Sequence, residues 1–427
     1  MFNIKSFFDR IAYGQMALPL AFAGFPLYII VPDFYATEHG LSLFFIGMAL
    51  LAIRFFDAVI DPLIGFYSDR YAQHRIRILI AASVIFGLSF VMMFHPLFYK
   101  ELWFVISLLC ATAGFSIIYV NYNSAGSLVD CSDDHKKRLF STREAMMLVG
   151  LMMAMILPFV LNNLSLYAAM VFMLSIVSVF IFKGWYNQQK LMSVQKEDIA
   201  DHFSFSLFKK CLKPPFRGFF KVYALSMLAS SLPAVTIIFY VRDYLGAYDQ
   251  MGLFLCVYFI AAILSIPLWR LCANRYGEVK MWFLSIAMAF LFAALAYFIK
   301  QDDVYYYVLY CALSGIAFGG EVYLPSIILS QLINKNNQSA ETAFYFGGYA
   351  FVMKLMFAVA SAIVYMTLHF VGFAAEMQNT TVALTTVVLL YTLIPAVIKI
   401  ISLFALKYGG LHENNLFNIN GGMRHVS

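Results

Sequence analysis

Ionisable side chains are scarce in this sequence. Asp, Glu, Lys and Arg make up only 12% of 427 residues, against roughly 25% in soluble domains. That excludes an ordinary soluble fold. The six cysteines, Cys110, Cys131, Cys211, Cys256, Cys272 and Cys311, include no C-x-x-C pair, so neither a disulfide framework nor a zinc site is supported. Phosphate-loop, nucleophile-elbow and zinc-protease motifs are all missing. Without them the chain has no recognisable means of hydrolysing ATP or of covalent catalysis, and neither enzymatic activity nor a cofactor is expected. The eight histidines sit apart, mostly in loops and tails. A net charge of +6 is spread between apolar runs and not gathered into one patch, so nucleic acid is not an expected partner.

What is present is apolar. Hydrophobic residues reach 62%, aromatics 18%, and mean hydropathy is +0.79. A membrane span needs about 20 apolar residues. On that ruler twelve spans fall near 15–36, 41–67, 76–95, 102–126, 144–161, 164–183, 218–241, 249–273, 279–299, 304–333, 342–368 and 380–406. The first follows Lys5, Asp9 and Arg10 and is too long for a signal-peptide core of about 7 to 15 residues, so it is expected to be retained. The partner these spans need is a lipid bilayer.

Lys and Arg choose the orientation. One set of alternate loops collects Arg70, Arg75, Arg77, Lys136, Lys137, Arg138, Arg143, Arg270, Arg275, Lys280, Lys335, the central segment and both tails; the other collects Lys100, Arg242 and Lys300. The positive-inside rule then predicts cytoplasmic termini, in a plasma (inner) membrane. Residues 184–217 form the longest charged stretch and end with Pro214, Pro215 and Arg217. They predict a cytoplasmic linker between an N-terminal six-helix bundle, 1–183, and a C-terminal one with its tail, 218–427. The halves echo each other: Pro62 precedes Arg70 as Pro267 precedes Arg275. Six-helix halves with internal repeats are a transporter architecture.

The second span contains Arg54-Phe-Phe-Asp57-Ala-Val-Ile-Asp61-Pro62-Leu-Ile-Gly65-Phe-Tyr-Ser-Asp69-Arg70. Spacings of three and four gather Arg54, Asp57 and Asp61 on one stripe of a helix. Charge at membrane depth is costly and marks ion or substrate pathways. At 1.5 Å per residue, Asp57 lies about 16 Å from its cytoplasmic helix end, with Lys354 and Glu321 each about 18 Å from theirs. Those depths group the three near the middle of the bilayer. Lys399, about 10 Å from its helix end, is expected to reach the surface by snorkelling.

The string Asp57-x-x-x-Asp61-Pro62-x-x-Gly65-x-x-x-Asp69-Arg70 resembles the second-helix signature of the glycoside-pentoside-hexuronide:cation symporters, the melibiose permease-like branch of the major facilitator superfamily. Tyr13-Gly14, Gly40-Leu41-Ser42, Arg143-Glu144, Pro267-Leu268-Trp269 and Lys354 extend the resemblance from Tyr13 to about Leu406. It implies an all-α membrane protein with twelve transmembrane helices in two pseudo-symmetric six-helix bundles, the major facilitator fold. It also implies that Asp57 and Asp61 bind the coupling cation, H+ or Na+, with Lys354 beside them. Ser116 is the best match for the hydroxyl that the fourth helix adds to that site.

The chain departs from the family where substrate is read. The first-helix sugar acid would fall at Ala21, and the fourth-helix one near Tyr119. Ile60 replaces the Asn that often precedes the second acid. Sodium loses an oxygen ligand by that change, which raises the case for a proton. The cluster Tyr119, Asn121, Tyr122 and Asn123 suits a wall for a hydroxylated solute, and equally suits helix–helix bonding. Gly65, Asp69, Arg70 and Arg275 are expected at a cytoplasmic gate, while Arg54, Lys354 and Glu321 complete a charge network. Glu321 reads equally as a buried structural acid.

Together these features predict a secondary active transporter, functional as a monomer, that couples a cation to a small organic solute, sugar-like by resemblance. The same fold also serves lysophospholipids. An uncoupled facilitator or sensor is the remaining alternative.

Overall fold

The computed structural model describes residues 4–28, 30–97, 99–161, 163–190, 212–301, 303–373 and 379–408; within them the side chains of some helical residues, Arg54 among them, lie outside the described set. The described residues form helices and short connections, with no strand among them. Each predicted span falls on helix. The first is Ala17–Tyr28 with Ile30–Thr37; the second to sixth are Leu43–Arg70, Arg75–Met93, Lys100–Ser127, Asp133–Leu161 and Leu164–Tyr186. The seventh to eleventh are Phe216–Phe239, Met251–Tyr276, Glu278–Ala296, Val304–Lys335 and Thr342–Phe370; the twelfth is Thr381–Tyr391 with Leu393–Tyr408. Among the described residues, nine helices are long and apolar enough to cross a membrane. An extra amphipathic helix, Ile4–Gly14, precedes the first span.

Local chemistry sets the helix ends. Ser42, Asn163 and Thr380 each accept a hydrogen bond from the backbone N–H three residues on, at 3.2, 2.9 and 3.2 Å, as N-caps do. The fifth helix starts earlier than its apolar run because Asp133 and Asp134 occupy the first turn, where carboxylates favour the helix dipole. In the twelfth span the helix breaks at Thr392. Pro395 follows three residues later, and its ring opposes the carbonyl four residues back, on Tyr391.

The solvent logic is that of lipid. Leu264, Phe298 and Phe404 are 68%, 73% and 59% exposed, whereas Asp57, Asp61, Glu321 and Lys399 are buried. Lipid tails offer no hydrophobic drive between helices, so close backbone packing and internal polar bonds hold them together.

The chain divides into two compact units, Met1–Ser204 with Ile333–Ala358, and Phe205–Leu332 with Val359–Ser427. The first unit thus takes in the beginning of the eleventh span. There the second and eleventh spans run backbone against backbone. A Cβ on Gly65 would lie 2.5 Å from the Ala343 carbonyl oxygen, and one on Gly347 2.6 Å from the Asp61 carbonyl oxygen. Side chains at either position would push the helices apart. Lys354 follows Gly347 by two turns, about 10 Å, which carries it to the level of the two acids. The core of the second unit includes Leu232, Tyr240, Phe254, Tyr307, Val387 and Tyr391.

Candidate functional site

Asp57 and Asp61 stand one turn apart on the second span, 4% and 0% exposed. Both face a single ammonium. Lys354 Nζ lies 2.8 Å from Asp57 Oδ2 and 2.9 and 3.1 Å from the two carboxylate oxygens of Asp61. From the fourth span, the Ser116 hydroxyl donates to Asp57 Oδ1 at 2.7 Å and accepts from Lys354 Nζ at 2.7 Å. The aromatic face of Phe115 lies 5.7 Å from that Nζ, within cation–π range. Two carboxylates against one ammonium leave an excess of one negative charge when all are ionised. Such an excess in a low-dielectric interior favours a proton or a small cation.

The Lys354 side chain is 16% exposed, against 5% and 0% for the two acids, and residues 351–359 are all only half-buried. Of the three charged side chains, the lysine is thus the most exposed. Of the predicted charge network, Arg54's side chain lies outside the described residues. Glu321 belongs to the second unit, where its partner is Lys399 at 2.5 Å. The snorkelling expected of Lys399 is corrected here: it is 3% exposed, because a buried carboxylate and two serines hold it inside.

Asn121, Tyr122 and Asn123 of the fourth span make their hydrogen bonds within the first unit. Asn121 accepts from Ser68 and donates to the Ile117 carbonyl at 2.9 Å. Tyr122 donates to the Tyr13 carbonyl at 3.0 Å. Asn123 donates to the Tyr119 carbonyl at 2.6 Å and accepts from Arg143. Tyr119 is buried and stacks on Phe115 at 5.9 Å. Three of these contacts, Ser68–Asn121, Tyr122–Tyr13 and Arg143–Asn123, join the fourth span to other helices. Tyr122→Phe is accordingly expected to lower the thermal unfolding midpoint by the equivalent of about 1 kcal/mol, the worth of one hydrogen bond. Solute affinity measured on the same protein should stay unchanged.

Arg143, which the sequence counted as a topology marker, and Glu144 form a buried ion pair through Arg143 Nε at 3.1 Å. The guanidinium also lies 4.4 Å from the Phe140 ring. Lone charges at this depth need partners, a signal the sequence carried in the pairing itself.

At the predicted gate, Asp69 caps the eleventh helix from the second. Its two oxygens accept the Ala343 and Phe344 backbone N–H groups, each at 2.9 Å, where the helix dipole is positive. Arg75, buried to 1% exposure, lies 3.7 Å from the same carboxylate; spacing had counted it only as a topology marker. Arg70 and Arg275 are exposed, the latter with its guanidinium 5.4 Å from the Tyr276 ring. Asp69→Ala is expected to cost roughly 1.5–3 kcal/mol for each charge-assisted bond lost. The check is the unfolding midpoint, together with accessibility of a cysteine placed at Ala343.

A family model described as MFS/sugar transport protein matches residues 10–408. The chain belongs to that family. The resemblance to the melibiose permease-like symporters is thereby borne out at the level of the family. This member is a multi-pass membrane protein and a secondary transporter, not an enzyme. The inner membrane symporter YicJ of Escherichia coli (strain K12) is 21% identical over 444 residues, covering 97% of this chain and 94% of YicJ. Among solved structures, a bacterial homologue of the iron transporter ferroportin in its outward-facing state is similar at TM-score 0.70. It is 14% identical and covers 93% of this chain and 98% of its own. The E. coli fucose:proton symporter FucP gives TM-score 0.63 and 14% identity over 95% of this chain and 98% of that one. These two likenesses establish the major facilitator fold.

Proposed function

We propose that this family member is a cation-coupled symporter of a small sugar or glycoside-like solute, working as a monomer by alternating access in the inner membrane. Its halves would be 1–183 and 218–427, joined by a linker at 184–217, with cytoplasmic termini. The observation that carries the reading is the imbalance at Asp57, Asp61 and Lys354: two acids share one lysine. A cation entering there cancels the remaining charge and changes the field around Lys354, and solute binding nearby becomes more favourable. Solute arriving alone meets uncompensated charge. YicJ and FucP, both named as symporters, support coupling.

The ion is assigned as a proton. Ile60 gives no oxygen to the site, and the side-chain oxygens at hand, two carboxylates and the Ser116 hydroxyl, are already engaged with Lys354. A proton needs one carboxylate, whereas sodium needs several free oxygens. Purified protein in liposomes, tested with radiolabelled monosaccharides and methyl glycosides, should accumulate one of them under an inward proton gradient without sodium. Strict dependence on sodium would overturn the assignment, and accumulation under neither gradient would overturn symport.

A further inference from the structure

The second unit holds a centre built from the same parts as the first. Lys399 on the twelfth span directs Nζ at Glu321 Oε1 on the tenth, 2.5 Å away, and at three oxygens of the seventh. These are Ser230 Oγ at 2.8 Å and Ser226 Oγ and carbonyl O, both at 3.1 Å. Ser230 in turn donates to Glu321 Oε2 at 2.9 Å. In both units a lysine bonds a serine hydroxyl and a carboxylate, and that serine donates to a carboxylate.

The arithmetic of the two centres differs. In the first, two carboxylates face one ammonium and one negative charge is left over. In the second, one carboxylate faces one ammonium and nothing is left over. Exposure differs likewise: the Lys354 side chain is 16% exposed, and the side chains of Lys399 and Glu321 are 4% and 6% exposed. Four oxygens surround an Nζ that has three protons to donate. Carboxylate, hydroxyl and carbonyl oxygens together are the ligand types that replace water around a monovalent cation, and here they surround one balanced positive charge.

Packing fixes the shell in place. Gly319 and Gly320 press the tenth span onto its other neighbours. A Cβ on Gly319 would lie 2.6 Å from the Ala262 carbonyl oxygen, and one on Gly320 2.7 Å from the Trp269 ring and 2.8 Å from Ser285 Cβ. Glu321, the next residue, is left on the side of the seventh and twelfth spans.

We propose that Glu321, Ser226 and Ser230 form a cage for a monovalent cation whose resident ion is the chain's own Lys399 ammonium. The second unit then carries a cation that never leaves, and the exchangeable charge of the transport cycle is confined to the first. Removing the ammonium opens the cage to K+ or Na+. Placing the exchangeable charge in the first unit rests on the symport reading, whereas the cage is tested by ion binding alone, so the two can fail separately.

The test is a gain of binding. Purified Lys399→Ala is unfolded by heat in KCl, NaCl or choline chloride at equal ionic strength, choline being too large for the cage. The midpoint should rise by roughly 3 °C in K+ or Na+ at a hundredfold excess over Kd, beyond any rise in wild-type protein. In Glu321→Gln/Lys399→Ala the extra rise should vanish. The proposal is overturned if Lys399→Ala gains nothing over wild type, or if the double variant keeps the gain. Should Lys399→Ala not accumulate, wild-type protein decides. Under acetic anhydride, Lys399 should stay unlabelled at every salt concentration at which Lys354 is labelled. Labelling of Lys399 that rises with K+ or Na+ overturns the lock.

Discussion

Asp57→Asn and Asp61→Asn are each expected to cut accumulation against a gradient severely while leaving the protein folded. Asparagine keeps the shape of the carboxylate and can still accept from Lys354 Nζ, which now lies 2.8 to 3.1 Å from both acids. What it removes is the surplus negative charge. One carboxylate and one ammonium then balance, and no attraction is left for a cation that must come and go. Coupling free energies of about 1–3 kcal/mol correspond to roughly 5–150-fold in affinity, and the gradient-dependent part of uptake should fall by a factor in that range. Downhill exchange of solute, measured as counterflow, should persist in both variants. Wild-type accumulation by either variant would show that the coupling ion binds elsewhere.

Lys354→Ala acts in the opposite direction. It leaves two carboxylates one turn apart with a single serine hydroxyl, Ser116 on Asp57, to satisfy them. Breaking a buried pair by removing one partner costs about 3–5 kcal/mol, because the remaining charge is uncompensated. The unfolding midpoint should therefore drop steeply in alkaline buffer. Acidic buffer should restore much of it, because protonating one acid relieves the like-charge repulsion. Adding Asp57→Asn to Lys354→Ala should restore part of it at any pH. If the loss is the same in acidic and alkaline buffer, or in the Asp57→Asn background, the lysine is not serving to balance the acids.

Much of this was legible in the chain. The spans followed from runs of about 20 apolar residues, and every one fell on helix. Asp57 and Asp61 could be placed on one face because helical periodicity is local. Ser116 was matched to the acids through family resemblance, and the structure brings its hydroxyl to Asp57. Other features escaped because their partners are remote in sequence. Depth arithmetic placed Glu321 beside Lys354 and sent Lys399 to the surface, because distance along a helix axis says nothing about which side the residue faces. The pairing of Glu321 with Lys399 spans 78 residues, and two glycines of the tenth span set its direction. Asp69 read as a gate residue from its motif, but its task as a cap needed the start of the eleventh helix, 274 and 275 residues away.

The sequence by itself determined that this protein lives in a membrane, how many times its helices run, and that two acids share a helical face, since composition and period are properties of neighbouring residues. Tertiary structure alone decided which lysine answers which acid. Inside a low-dielectric bundle each buried charge must find an opposite charge or hydrogen-bond partners, and only the packing of distant helices decides which groups come within reach.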